Sequence, residues 1–259
     1  MAKLTAWLKR LRSARSLRRF RIPALRWRDT IEQVAVLQRL NHAERHHLRE
    51  LAGDFLRKKT INGAGGLGVN AEMRTLIAAQ ACLLILRLDL SYFEGWYEII
   101  VYPDSFVVRR NETDAIGLVH EARQVLGGEA WGRGPVILSW SDARPEAQAH
   151  DSGSNVILHE FAHKLDMLNG AANGMPPLHK EMQREVWTRV FQDAYNDLSQ
   201  TLLSNQRSDI NPYAAESPAE FFAVTTELFF ECPHRLMRLF PTVYAQLRQF
   251  YRQDPLYRQ

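Results

Sequence analysis

Apolar residues recur at helical spacing through most of the chain, and short β-like stretches interrupt that rhythm. Residues 29–60 read as helices. Ile31, Val34, Leu37 and Leu40 share one face, and Asn41 is placed to cap a second helix over 42–56. A further helix spans 72–86. Its run 76-LIAAQACLLIL-86 is broken by Gln80 and ends at Arg87, short of the ~18 apolar residues a membrane-spanning helix needs, so it belongs in a core. Residues 97–110 alternate and carry β-branched side chains, which predicts two short strands around Pro103 and Asp104; 135–140 predicts another. From about residue 154 the pattern is helical again, over 155–168, 178–203, 218–231 and 234–251. No internal repeat or low-complexity linker divides the chain. The sum is an α+β fold, mainly helical with a small β-sheet.

The stretch 63-GAGGLG-68 has the spacing of a dinucleotide-binding loop. Such a loop works between a strand and the helix that receives the pyrophosphate. The preceding 54-DFLRKKTIN-62 reads as a helix end with no apolar strand, which makes the glycines a connection.

The chain has 259 residues, 46% of them hydrophobic, enough for one sizeable core or two modest ones. Its net charge of +4 is unevenly spread: residues 1–28 hold ten Lys or Arg and no acid, so removing those ten charges leaves −6 for residues 29–259. This divides the chain into a basic arm, 1–28, and a single domain, 29–259. Leu4, Trp7, Leu8, Leu11 and Leu17 give the arm an amphipathic helical pattern suited to an anionic membrane surface; a soluble, frayed tail is the equal alternative. No direct nucleic-acid partner is expected from so short a basic segment. Cys82 and Cys232 are far apart in apolar surroundings and read as reduced, buried thiols. No apolar secretory segment follows the basic N-terminus, and the expected compartment is the cytoplasm.

The chemistry concentrates in 156-VILHEFAHKLDML-168. On a helix, positions i and i+4 lie on one face, so His159 and His163 can grip one cation. Glu160, about 100° round the helix, can take a proton from a water at that cation and hand it to a leaving amine. Ser154 or Asn155 supplies the cap, and Asn169-Gly170 the stop. Three unpaired polar groups in an apolar run would be expensive to bury, and a metal removes that expense. Lys164 is expected to project away from the metal. His42, His46 and His47 lack a carboxylate or cysteine partner and read as a solvated helix face.

A third ligand is needed. In 213-YAAESPAEFFAVTTELFF-230, Glu220 stands in the first turn of an apolar helix. It can equally close a capping box on Ser217, and Glu216 is a rival. Tyr213 is either a core phenol or a hydroxyl that stabilises an oxyanion. Spacing leaves these choices open.

The motifs 159-HEFAHKLD-166, 213-YAAESPAEFFAV-224, 116-IGLVH-120 and 250-FYRQDP-255 together resemble the Mlc titration factor A family, zinc peptidases of the glutamate-zincin type, and more distantly the catalytic domain of lethal-factor peptidases. The resemblance runs through most of residues 30–257. It implies a zincin-like fold with one Zn2+ per chain held by His159, His163 and Glu220. It also implies Glu160 as general base, Tyr213 as oxyanion donor, and His120 as a conditional ligand or supporting group. Asp166 completes the i, i+4, i+7 face and can orient a ligand imidazole or simply end the helix. The implied activity is aminopeptidase-like cleavage of short peptides. The implied partner is the Mlc repressor, through which the protein would modulate transcription of glucose phosphotransferase genes. A repressor-sequestering module with a latent zinc site is the alternative.

Overall fold

The computed structural model describes residues 21–104, 106–113, 119–126, 128–130, 134–145 and 153–258, with 106–113, 119–126 and 128–130 described by backbone alone. Helix α1 (Ala24–Gln33) and the short α2 (Ala35–Gln38) put Trp27, Ile31, Val36 and Leu37 into the core. Ile22 is buried as well, so core packing begins inside the segment that charge alone assigns to the arm. Residues 1–20, most of that arm, lie outside the described residues. Helix α3 (His42–Lys58) starts at a reciprocal cap: Glu44 N donates to the Asn41 side chain, and Asn41 N donates to the Glu44 carboxylate.

Strand β1 (Thr60–Gly63) follows directly, then helix α4 (Ala71–Leu84), buried from Met73 to Leu84 except at Arg74. This corrects the expectation that no strand precedes the glycine-rich stretch. Only Ile61 of β1 is buried, so the strand carries almost no apolar signal. The loop nevertheless closes on itself. Leu67 N donates to Ala64 O, a Cβ at Gly63 would collide with the Leu67 carbonyl, and the Asn70 side chain caps α4 by accepting from Met73 N.

Strands β2 (Glu98–Tyr102), β3 (Phe106–Thr113), β4 (Val119–Leu126), β5 (Gly128–Ala130) and β6 (Val136–Ser139) complete the β structure. One sheet has the order β1-β2-β6-β5, in which β1, β2 and β6 run parallel and β5 is antiparallel; β3 and β4 pair as a separate hairpin. Burial of Ile99 and Val101 on alternate positions of β2 matches the period-2 pattern that predicts it.

The remaining helices are α5 (Trp140–Ala143), α6 (Val156–Asp166), α7 (Arg184–Leu203), α8 (Pro218–Glu231), α9 (Pro233–Leu239) and α10 (Pro241–Tyr251). The expected helix over 178–203 begins only at Arg184, and the one over 234–251 is two helices. Pro241 opens α10 as its first residue and lacks the N–H that would have continued α9. Helix α6 packs between the β5–β6 end of the sheet and α8. The result is a mainly helical α+β fold with a small sheet.

Candidate metal centre

Helix α6 is fixed at its start by Asn155. The Asn155 side chain accepts from Leu158 N and donates to Gln80 Oε1 and Glu231 Oε1, each at 2.7 Å, and Asn155 N donates to the Glu227 carboxylate. Ten of its eleven residues are buried, so His159, Glu160 and His163 sit in the protein interior. Helix α8 runs alongside. Its N-cap Ser217 accepts from Glu220 N at 3.2 Å, yet the Glu220 carboxylate does not turn back to complete a capping box. It reaches α6 instead: Glu220 Oε2 lies 3.0 Å from His159 Nε2 and 3.2 Å from His163 Nε2, and the two Nε2 atoms are 3.2 Å apart.

His159, His163 and Glu220 are the group of potential ligands found among the described residues, with donor atoms within 4.8 Å of one another. Glu227 Oε1, 2.8 Å from His159 Nδ1, is placed to accept a proton from that nitrogen, so that Nε2 is the one turned toward a cation. Nε2 faces a carboxylate oxygen and a second imidazole nitrogen. Three electron-rich atoms aimed at one point fit a divalent cation, and two imidazoles with one carboxylate form a ligand set that suits zinc and leaves a fourth position open.

The charge balance of the centre is tight. Burial alone pushes the His159 imidazole down, but the carboxylates of Glu227, Glu220 and Glu160 together hold it well above the usual range. Burial pushes Glu220 up, and the two histidines overcome this and hold it far below the ordinary carboxylate range. Glu160 is 3% exposed; burial drives its carboxyl up to about 7 against the pull of both imidazoles, and its Oε2 has no hydrogen-bond partner among the described residues. A buried carboxyl with a spare oxygen beside a cation site has the makings of a general base.

The other expected residues fall as follows. Tyr213 is on a 3-10 turn (Pro212–Ala215), with its ring centroid 5.9 Å from that of His159. Glu216 is exposed and stands apart from the ligand group. Asp166 is fully buried and accepts from Asn173 N at 2.8 Å and Gly174 N at 2.7 Å, so it fastens the loop after α6. The backbone of His120 pairs with Glu112 in the β3–β4 hairpin, while its side chain lies outside the described residues. His42, His46 and His47 are exposed. Lys164 does turn from the cation site: it is 2% exposed, donates to Gly134 O at 2.8 Å, and lies 5.0 Å from the Trp96 ring centre.

Glu227, which contacts His159 directly, is the residue of this cluster that sequence reasoning missed. The available signal was its spacing: Glu220, Glu227 and Glu231 stand at i, i+7 and i+11 in an otherwise apolar helix, which is one face.

Comparison with known proteins covers the region that holds these residues. The family model for glucose-regulated metallo-peptidase M90 matches residues 8–252. The chain is 38% identical to Mlc titration factor A of Klebsiella pneumoniae over 232 residues, covering 87% of this chain and 85% of that protein. It is also 38% identical to proteins of the same name from Escherichia coli O7:K1 and Shigella flexneri, each over 240 residues, covering 91% of this chain and 88% of theirs. With the match spanning nearly the whole described fold and both helices of the metal centre, the chain belongs to the glucose-regulated M90 metallo-peptidase family.

Proposed function

We propose that the protein is a zinc-dependent peptidase that cleaves short peptides in an aminopeptidase-like manner. The observation that carries this reading is the convergence of His159 Nε2, His163 Nε2 and Glu220 Oε2 on one point, with the buried Glu160 on the same helix. His159, His163 and Glu220 hold the ion, and Glu227 keeps His159 in the tautomer that presents Nε2. When bound, zinc supplies Lewis acidity toward the scissile carbonyl and acidifies water. Glu160 accepts the proton of the attacking water and returns it to the departing amine. Tyr213 supplies a hydroxyl to the developing oxyanion. His120 is assigned a conditional role near the ion.

The test is hydrolysis of a panel of aminoacyl-p-nitroanilides by wild type and Glu160→Gln, with bound zinc measured in both. Turnover by the wild type alone at equal zinc content supports the assignment; full turnover by Glu160→Gln overturns it.

A second role is supported by the name that the relatives carry, Mlc titration factor A: capture of that repressor, with an effect on transcription. Co-purification with the repressor, undiminished in Glu160→Gln, would separate capture from catalysis. A cytoplasmic location suits both roles. It is supported by Cys82 and Cys232, both buried and neither in a disulfide among the described residues. For the basic arm, contact with an anionic membrane is tested by deleting residues 1–20. That deletion spares the buried Ile22 and Trp27, and unchanged pelleting with anionic liposomes would end the idea.

A further inference from the structure

A second concave site lies apart from the metal centre, where the C-terminal segment folds back on α3 and the end of α4. A cavity of about 480 Å³ is lined by Arg39, Arg87, Arg252 and Arg258, with Glu44 and Asp254 as the acidic groups among its described lining residues. Four guanidiniums against two carboxylates make the described lining net positive, in a concavity where field lines concentrate.

The way these groups are held leaves the excess standing. Glu44 sits at the base with 9% of its side chain exposed, and its Oε1 is shared by Arg87 Nη2 at 3.3 Å and Arg258 Nη2 at 3.2 Å. Arg258, also 9% exposed, is further fixed by Gln253 Oε1 at 2.7 Å. Asp254 is engaged by Tyr244 and by Arg248, which is not among the lining residues, so its charge is balanced from outside. Among the described residues Arg39 donates to the Phe230 and Glu231 carbonyls at the end of α8, and Arg252 pairs loosely, at 3.8 Å, with Glu181, itself 77% exposed. Arg252 also adopts φ +52°, one of two non-glycine residues with positive φ among those described, where a helix end ordinarily takes Gly or Asn. Arginine at a left-handed position is an unfavourable local choice, and it aligns with a use for that side chain in the cavity. Arg39 and Arg258 also line an adjoining cavity of about 380 Å³ with His234, Pro233, Pro255 and Leu256, which offers less polar walls beside the guanidiniums.

We propose that this arginine-lined cavity binds a small phosphorylated ligand, its phosphate seated among Arg39, Arg87, Arg252 and Arg258. The net positive lining suits the negative charge of a phosphate monoester at neutral pH, and guanidinium forks suit its oxygens. The volume is that of a small-molecule site. The proposal does not depend on the peptidase reading.

Calorimetric titration of the full chain with inorganic phosphate, glycerol 3-phosphate and citrate, at ionic strength held constant with chloride, is the test. Saturable binding of either phosphate is expected, and whichever binds tighter identifies free phosphate or a phosphomonoester as the source. The double variant Arg87→Gln/Arg252→Gln changes two half-exposed side chains and should weaken binding at least ten-fold. Arg238→Gln, whose guanidinium pairs with Asp209, should leave it unchanged. The proposal falls if neither phosphate binds saturably, or if citrate binds as tightly as both. It falls equally if the double variant retains wild-type affinity, which would put the phosphate at the metal centre or elsewhere.

Discussion

Glu227 Oε1 lies 2.8 Å from His159 Nδ1, and the same carboxylate accepts from Asn155 N, the residue that caps the His159 helix. One side chain of α8 therefore fixes both the imidazole and the helix that carries it. Replacing Glu227 by Gln should weaken zinc binding by roughly 10–100-fold, the usual range for a group that orients a ligand histidine. Competition with a chromophoric chelator measures this, with circular dichroism as the check on folding. Unchanged zinc affinity would remove the orienting role.

Glu160→Gln should bind zinc as the wild type does while losing about 10²–10⁴-fold in kcat, the range for a lost general acid–base group. Proton-coupled behaviour gives a second reading of the same residue. Burial drives the Glu160 carboxyl up to about 7, and a cation at the ligand triad pulls it back down. Activity needs both the carboxylate and the ion, so kcat/KM of the zinc-loaded protein should fall along an acid limb that lies below about pH 7. A flat profile between pH 5 and 8 would count against Glu160 as the base.

Zinc should be lost with acid. In the metal-free protein the carboxylates of Glu227, Glu220 and Glu160 favour the protonated form of that imidazole, and a cation must compete with the proton. Binding should release protons and weaken as pH falls. Calorimetry in buffers of different ionisation enthalpy reads this release; a proton count of zero would contradict it.

Stability has its own acid dependence, through Glu44. Although burial alone raises its carboxyl, Arg258, the Asn41 N–H and Arg87 together hold it below the ordinary value. A group whose folded pKa is depressed adds stability above its unfolded pKa, near 4.5, and loses it as pH falls through the folded value. Glu44→Gln should lower stability by roughly 1–2 kcal/mol at neutral pH, since it leaves the part-buried Arg258 short of its carboxylate. The gap from wild type should be constant above about pH 5 and narrow below pH 4.5. Urea midpoints across that range, with zinc saturating, make the comparison.

The parts of this molecule that are legible in its sequence are those whose signal is local. The α6 helix and its Asn155 cap follow from apolar spacing and one short motif, and α8 follows from Ser217, Pro218 and a run of apolar residues. What stays hidden depends on distant partners. Strand β1 is held by pairing with β2, with a single buried side chain of its own, so nothing in 60-TING-63 announces it. Helix capping and metal ligation ask for the same Glu220 in sequence, and only its distance to His159 and His163 separates them. Lys164 has no evident place beside a ligand histidine on sequence grounds. Its acceptor is the carbonyl of Gly134, thirty residues earlier, ahead of β6.

Glu220, Glu227 and Glu231 ride on one rigid rod: the first faces the cation site, the second orients His159, and the third accepts from Asn155. A displacement of that rod along its axis would move all three carboxylates by the same distance, because the hydrogen-bonded helix carries them as a unit. A chelator, a proton or a ligand that shifts the register of α8 against α6 acts on ion retention, imidazole orientation and helix capping as one event, which gives the site the response of a latch rather than a dial.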